Sequence, residues 1–264
     1  MRLATTFPNR EAFGAAVQAL DAAGLLYEVI SPDPGYDKVG APALVMDQAV
    51  RAALAARMRS DLLCAGWVEH RAAAAQVPTH ASREFAEDVF GSAAVMVLAS
   101  CVPDQRKIRI VAHISGDLTE VFPYLNAEMR HVSYNPAGPT LTFMDGYRMV
   151  SAYARRIAVA RADEIVDAWR VLDELRCRAN DIWARRGRIH PSYERREKPP
   201  ALELYGRLPG INCGECGEPT CLAFAVKLHG GRGHVRDCRP VFEGEFQHLK
   251  EALLEVSTAL GVAP

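Results

Sequence analysis

The 264-residue chain has almost no net charge: 31 Lys and Arg stand against 32 Asp and Glu, a formal balance of -1. No global pull toward nucleic acid or an anionic membrane follows from that. The chain lacks any apolar run near the ~18–20 residues that a membrane span needs. Its start, MRLAT, lacks the apolar core of a secretory leader, and no lipidation signal is present. The expectation is a cytoplasmic protein with no membrane insertion and no nucleic-acid partner. Catalytic signatures are missing too. There is no G-x-x-x-x-G-K-[ST] or G-x-G-x-x-G loop, no G-x-S-x-G elbow, and no carboxylate pair that announces hydrolysis. No catalytic residue is assigned; the chain reads first as a carrier or accessory protein, and an enzyme with its active site in the middle region stays open. At 49% hydrophobic and 24% charged residues, its composition excludes wholesale disorder.

What is present begins as a small α/β unit over residues 1–75. Arg2–Phe7 reads as a strand. Asn9 caps a helix with Ala12, Phe13, Val17, Leu20 and Ala23 at helical spacing, and Gly24 ends it. Leu25–Ile30 and Ala43–Met46 read as strands. Asp47 caps a helix to about Arg59, and Leu62–Val68 reads as a last strand. The order β-α-β-β-α-β is that of a ferredoxin-like sandwich.

A mixed region follows over 76–187. Phe85–Cys101 is apolar and predicts a buried helix, or a helix and then a strand. Ile108–Ile114 alternates as a strand, and Asp117 is placed to cap a short helix toward Met129. Thr140–Met144, Arg148–Ala152 and Arg156–Ala160 are spaced as a meander, with Asp145-Gly146 as a hairpin turn. Asp163–Arg186 is the strongest helix, with Ile165, Trp169, Leu172, Leu175, Ala179 and Ile182 on one core-facing stripe. Residues 188–203 read as a charged, proline-bearing linker, and 204–264 as a small helical domain. The fold class is α+β: a ferredoxin-like unit, a mixed middle with a long helix, and a helical domain at the C-terminus.

Four of the seven cysteines fall in that last domain: Cys213, Cys216, Cys221 and Cys238, spaced C-x2-C-x4-C-x16-C. An odd total argues against a disulfide framework. Four thiolates are the ligand set of a [4Fe-4S] cluster, but iron–sulfur clusters and zinc both favour soft thiolates. Zinc ribbons usually present two C-x2-C knuckles, and only one occurs here. Gly214 and Gly217 each follow a cysteine, where a small residue lets backbone amides approach inorganic sulfide. Pro219 suits the first turn of a helix running to about His229, with Gly230-Gly231 as its stop. That helix would turn its positive end toward an anionic cluster. Phe242, Phe246, Leu249, Leu253, Val256 and Leu260 then stripe a second helix. A core this small needs a staple, which the cluster would be.

The run Asn212-Cys213-Gly214-Glu215-Cys216-Gly217-Glu218-Pro219-Thr220-Cys221, with Phe224-Ala225 and Asp237-Cys238, carries a resemblance. It resembles the four-cysteine domain of the corrinoid iron–sulfur protein large subunit of acetyl-CoA decarbonylase/synthase. The same domain occurs in the B subunit of Rnf-type complexes. The resemblance implies one [4Fe-4S] cluster on Cys213, Cys216, Cys221 and Cys238. It covers about 35 residues and implies no corrinoid chemistry. The first 70 residues resemble, weakly, selenium/sulfur carrier domains that bear a cysteine before a glycine. Here that stretch is Asp37-Lys38-Val39-Gly40, without a cysteine.

The remaining candidates have bland readings beside sharper ones. Cys64, Cys101 and Cys177 read as buried hydrophobes, with Cys177 the best placed for a second role because it lies off its helix stripe. His229 and His234 read as solvated, or as groups coupling cluster potential to pH. Trp169 and Trp183 read as core rather than cofactor-stacking rings. Arg185, Arg186, Arg188, Arg195, Arg196 and Lys198 read as a solvated linker, or as a dock for an acidic redox partner. The function expected is electron transfer, or redox support of an oxygen-sensitive partner enzyme. Delivery of a cluster, sulfur or metal is the alternative, and a structural-zinc interaction module is the second.

Overall fold

The computed structural model describes residues 1–57, 64–72, 74–102, 104–129, 132–196 and 200–259. The first unit runs β1 (Arg2–Thr6), α1 (Arg10–Ala22), β2 (Glu28–Ile30), β3 (Ala43–Asp47), α2 (Gln48–Arg57) and β4 (Val68–Glu69). The sheet order is β2-β3-β1-β4 with every neighbour antiparallel. That is the ferredoxin-like arrangement expected from the element order. Asn9 caps α1, accepting from the Ala12 amide at 2.8 Å, and Asp47 accepts from the Val50 amide at 2.8 Å. The end expected for α2 at Arg59 lies outside the described residues. So do Leu62 and Leu63 of the last strand, which is shorter than expected. Gly66 (φ 132°) presses against Leu98, whose carbonyl oxygen lies 2.1 Å from where a Cβ would stand. The backbone from Cys64 to Trp67 is irregular there: the Ala65 amide donates to the Thr6 carbonyl at 2.9 Å, but regular ladder pairing begins at Val68.

The middle region is a second, six-stranded antiparallel sheet in the order β5-β6-β10-β9-β8-β7. Its strands are β5 (Ala93–Ser100), β6 (Ile108–Ile114), β7 (Val132–Asn135), β8 (Thr140–Asp145), β9 (Arg148–Tyr153) and β10 (Arg156–Ala162). Two helices, α3 (Phe122–Glu128) and α4 (Ile165–Ala184), cover one face. The helix expected inside Phe85–Cys101 is not formed. Asp88 instead closes a turn, accepting from the amides of Phe90 (3.2 Å) and Gly91 (2.7 Å), with Gly91 at φ 70°. The chain then enters β5. Asp117 caps no helix; it accepts from the Thr119 amide at 2.9 Å, and α3 starts at Phe122. The long helix is capped by Glu164, which accepts from the amides of Val166 (2.7 Å) and Asp167 (3.0 Å). Asp163 is left free to pair with Lys107 and Arg148. Strand β7 has no expectation behind it: four residues give too short an alternation to read.

The stretch read as a linker is strapped down. Arg196 and Tyr134 exchange backbone hydrogen bonds at 2.7 and 3.0 Å. The Arg196 guanidinium donates to the carbonyls of Asn126 (2.7 Å) and Met129 (2.8 Å). Lys198, from the same basic run, lies outside the described residues.

Three cores result. The helix side of the first sheet packs Phe7, Leu20, Leu44, Met46 and Leu54. Its opposite face shares one core with the second sheet, through Ala4, Ala43 and Val45 beside Val95, Ile110 and Trp169. The first sheet is therefore buried on both sides, and β1 shows a continuous buried run rather than alternation. Trp169 is fully buried against Gly40, where a Cβ would stand 2.8 Å from its ring, so it is a core residue.

The third core belongs to the C-terminal helices α5 (Ala201–Tyr205), α6 (Cys221–His229), α7 (Arg239–Phe242) and α8 (Lys250–Ala259). The single helix expected over Phe242–Leu260 is broken. Gly244 approaches Pro240 so closely that a Cβ would sit 2.9 Å from its Cα, and the chain restarts as helix at Lys250. Leu260 lies outside the described residues. Among the described residues no helix is long and apolar enough to cross a membrane.

Candidate metal centre

Cys213, Cys216, Cys221 and Cys238 line one small pocket, with Pro209, Ile211, Asn212, Phe224 and Pro240 around them. Cys213 is exposed, Cys216 half-buried, and Cys221 and Cys238 buried. The sequence explains how they converge. Asn212, Gly214 and Gly217 take left-handed backbone conformations, at φ 53°, 77° and 80°. Such residues, interspersed among ordinary ones, curl the loop tightly. Among the described residues, the amides of Cys213, Gly214, Glu215 and Cys216 make no hydrogen bond within the chain. The turn is closed by Gly217 N–H donating to the Gly214 carbonyl at 2.9 Å.

Cys221 is the first residue of α6, capped by Thr220, which accepts from the Ala223 amide at 3.0 Å. Pro219 therefore stands before the cap and not in the first turn as expected. Helix α6 ends at Gly230 as anticipated. Cys238 sits where a short 3-10 turn meets α7, anchored by its amide on the Val235 carbonyl (3.1 Å). Burial, reinforced by the neighbouring Cys216, Cys221 and Cys213, pushes the Cys238 thiol up to about 11 in the metal-free chain. A metal taking this sulfur displaces a proton.

One participant escaped the sequence reading. Asn212 accepts from the Cys221 amide at 2.8 Å, joining the loop directly to the helix start. Its signal was an asparagine just before the first cysteine, a residue that tolerates the left-handed region and bonds nearby backbone. The other cysteines do not line this pocket. Cys177 lies 3.8 Å from an Asp173 oxygen, with its thiol held above the usual range by burial and by that carboxylate. His234 begins the 3-10 turn before Cys238 and His229 ends α6; neither ring lines the pocket.

The donor set suits a polynuclear iron–sulfur group: four thiols around one pocket, unbonded amides, and the positive end of α6 beside Cys221. Among the described residues, no three His, Cys, Asp or Glu side chains gather as a single metal ion would require.

The loop conformation carries its own prediction. Gly217→Ala places a Cβ in a left-handed position and is expected to cost about 1–2 kcal/mol. Gly206→Ala, at φ -62° with ordinary contacts, is the near-neutral control. Urea unfolding of the C-terminal helices, followed by circular dichroism, checks the difference.

Residues 208–240 match the family model described as "Putative Fe-S cluster". In that region the chain is 60% identical over 54 residues to acetyl-CoA decarbonylase/synthase complex subunit gamma 1 of Methanosarcina thermophila, covering 20% of this chain and 12% of that protein. It is 42% identical over 65 residues to the corrinoid/iron-sulfur protein large subunit of Moorella thermoacetica, covering 24% and 15%. The chain thus spans a small fraction of the curated relatives it matches. No solved structure matches. The chain is an iron–sulfur protein with its cluster domain at the C-terminus, and the resemblance read from Asn212 to Cys221 holds for that domain.

Proposed function

We propose that Cys213, Cys216, Cys221 and Cys238 hold one [4Fe-4S] cluster, and that the chain is a one-electron carrier or redox accessory to an oxygen-sensitive partner enzyme. The observation that carries this reading is the convergence of these four cysteines on one pocket built from left-handed turns and a helix start. A bound cluster supplies one-electron chemistry at low potential. The chain's residues do the rest. The free amides of Cys213–Cys216 and the first turn of α6 stabilise negative charge on the sulfurs. Phe224, Cys221 and Cys238 close the inner side against water. Exposed Cys213 leaves the outer side open toward a partner.

The relatives named as subunits of acetyl-CoA decarbonylase/synthase complexes support a protein partner and anaerobic metabolism. The test is iron, sulfide and zinc analysis with electron paramagnetic resonance of anaerobically purified protein, before and after dithionite. About four irons and four sulfides with a reduced-state signal are expected. Stoichiometric zinc without iron, persisting after anaerobic reconstitution, would sink the proposal. Release of the cluster to a chelator on mixing, in place of reversible reduction, would give the function to delivery.

A further inference from the structure

The second sheet has an uncovered face. Helices α3 and α4 lie on one side only, and the strand residues that point the other way meet solvent. Strand pairing places Val97, Val111, Ala158, Ser151, Thr142 and Ser133 in one unbroken row across all six strands. Every member is small and uncharged. Beside this row, on one side, Arg109 and Met149 flank Ala160; on the other, His113 and Tyr153 flank Arg156. Arg109, His113 and Arg156 are exposed. None of the outward positions in these three rows is a carboxylate. In a chain with 32 acids and 31 bases, that is a marked segregation of charge.

We infer that this open face is a docking surface for an acidic protein. Its layout is that of an interface, a neutral centre that sheds water readily and a charged rim that selects the partner. Val97 and Met149 are 42% and 44% exposed and supply apolar surface to that centre and its edge. Six strands at ~4.8 Å spacing make the row about 25 Å long, enough for a transient encounter of the small kind. The surface also adjoins the cluster domain. Arg161, at a bulge of β10 with φ 67°, donates to the Gly231 carbonyl at 2.8 Å, just past the end of α6.

Other occupants fit less well. Single-stranded nucleic acid needs rings for its bases to stack on. The only ring among the outward positions of the three rows besides His113 is Tyr153, and Arg156 already lies over it at 4.4 Å. A second copy of this face would bring arginine against arginine.

The test uses the full chain and a purified acidic ferredoxin as probe, titrated by fluorescence anisotropy at ~0.02 and ~0.15 M salt. Binding that weakens with salt is expected, with methyl shifts at Val97, Val111 and Met149. R109E/R156E should weaken it about tenfold or more, R109Q/R156Q by less, and R71E, in the loop after β4, by under about twofold. Equal binding by the parent and R109E/R156E would overturn the inference. So would tighter binding of a single-stranded oligouridylate, or self-association that the same reversal abolishes. The readout involves no electron flow, so loss of this inference and loss of the cluster reading are separate results.

Discussion

Cys221→Ala, purified anaerobically, is expected to retain less than about a tenth of the parent's iron and sulfide. Changes in groups that only support metal ligands already cost 10–100-fold in affinity, and a thiolate ligand should cost no less. The same change should be nearly silent without metal. Cys221 is a small buried side chain in the C-terminal core, so metal-free parent and variant should unfold within about 1–2 kcal/mol of each other. The stability gap should open only on anaerobic reconstitution, because binding energy at such a site is folding energy. Cys64→Ala and Cys177→Ala, which lie away from the pocket, should keep full iron. Iron retained by C221A would remove that residue from the ligand set. Iron lost equally from C177A would point instead to general instability.

Arg176→Met should be the most damaging change outside the cluster domain, costing about 3–5 kcal/mol. The Arg176 side chain is completely buried. Its guanidinium donates to Asp88 through two nitrogens (2.5 and 3.0 Å), to the Arg83 carbonyl (2.9 Å) and to the Gly91 carbonyl (3.2 Å). It therefore ties the irregular 83–92 segment to α4. Partial burial works against a charge on Asp88. The Gly91 amide, Asn180 and Arg176 outweigh it and hold the carboxyl below its ordinary range. A depressed carboxyl contributes stability that is present above its ordinary pKa and lost as pH falls through the folded value. The parent should thus lose stability in acid, and R176M should lose less because the Asp88 pairing is already gone. Asp88→Asn with R176M should recover part of the loss by removing the stranded charge. Urea unfolding at neutral and acid pH checks all three. A loss under about 1 kcal/mol in R176M would show that the pair is replaceable by packing.

The most legible parts of the sequence were those with a local physical signal. Asn9, Asp47, Gly24 and Gly231 announced helix ends because capping and left-handed termini depend on a single residue. The β8–β9–β10 meander was legible from its alternation and its turn. The four cysteines carried their own spacing, and the structure gathers them at one pocket. What failed depended on distant partners. Nothing near Phe85 says that Asp88 will turn the chain for Arg176, 88 residues away. Nothing near Ser192 says that Asn126 will donate to its carbonyl at 2.9 Å and turn an apparent linker into a strap. Gly66 read as an ordinary strand residue because the Leu98 backbone that crowds it lies in another sheet.

The separation of the C-terminal core from the other two has a consequence for damage. Oxygen that destroyed a cluster there would destabilise a unit of about sixty residues and leave the larger part as stable as before, since among the described residues the two share no buried apolar cluster. A damaged chain would keep the exposed sheet face intact. It would still occupy a partner while delivering nothing, a decoy whose harm grows with its survival. Turnover of oxidised chains, more than their synthesis, would then set how quickly the system recovers from exposure to air.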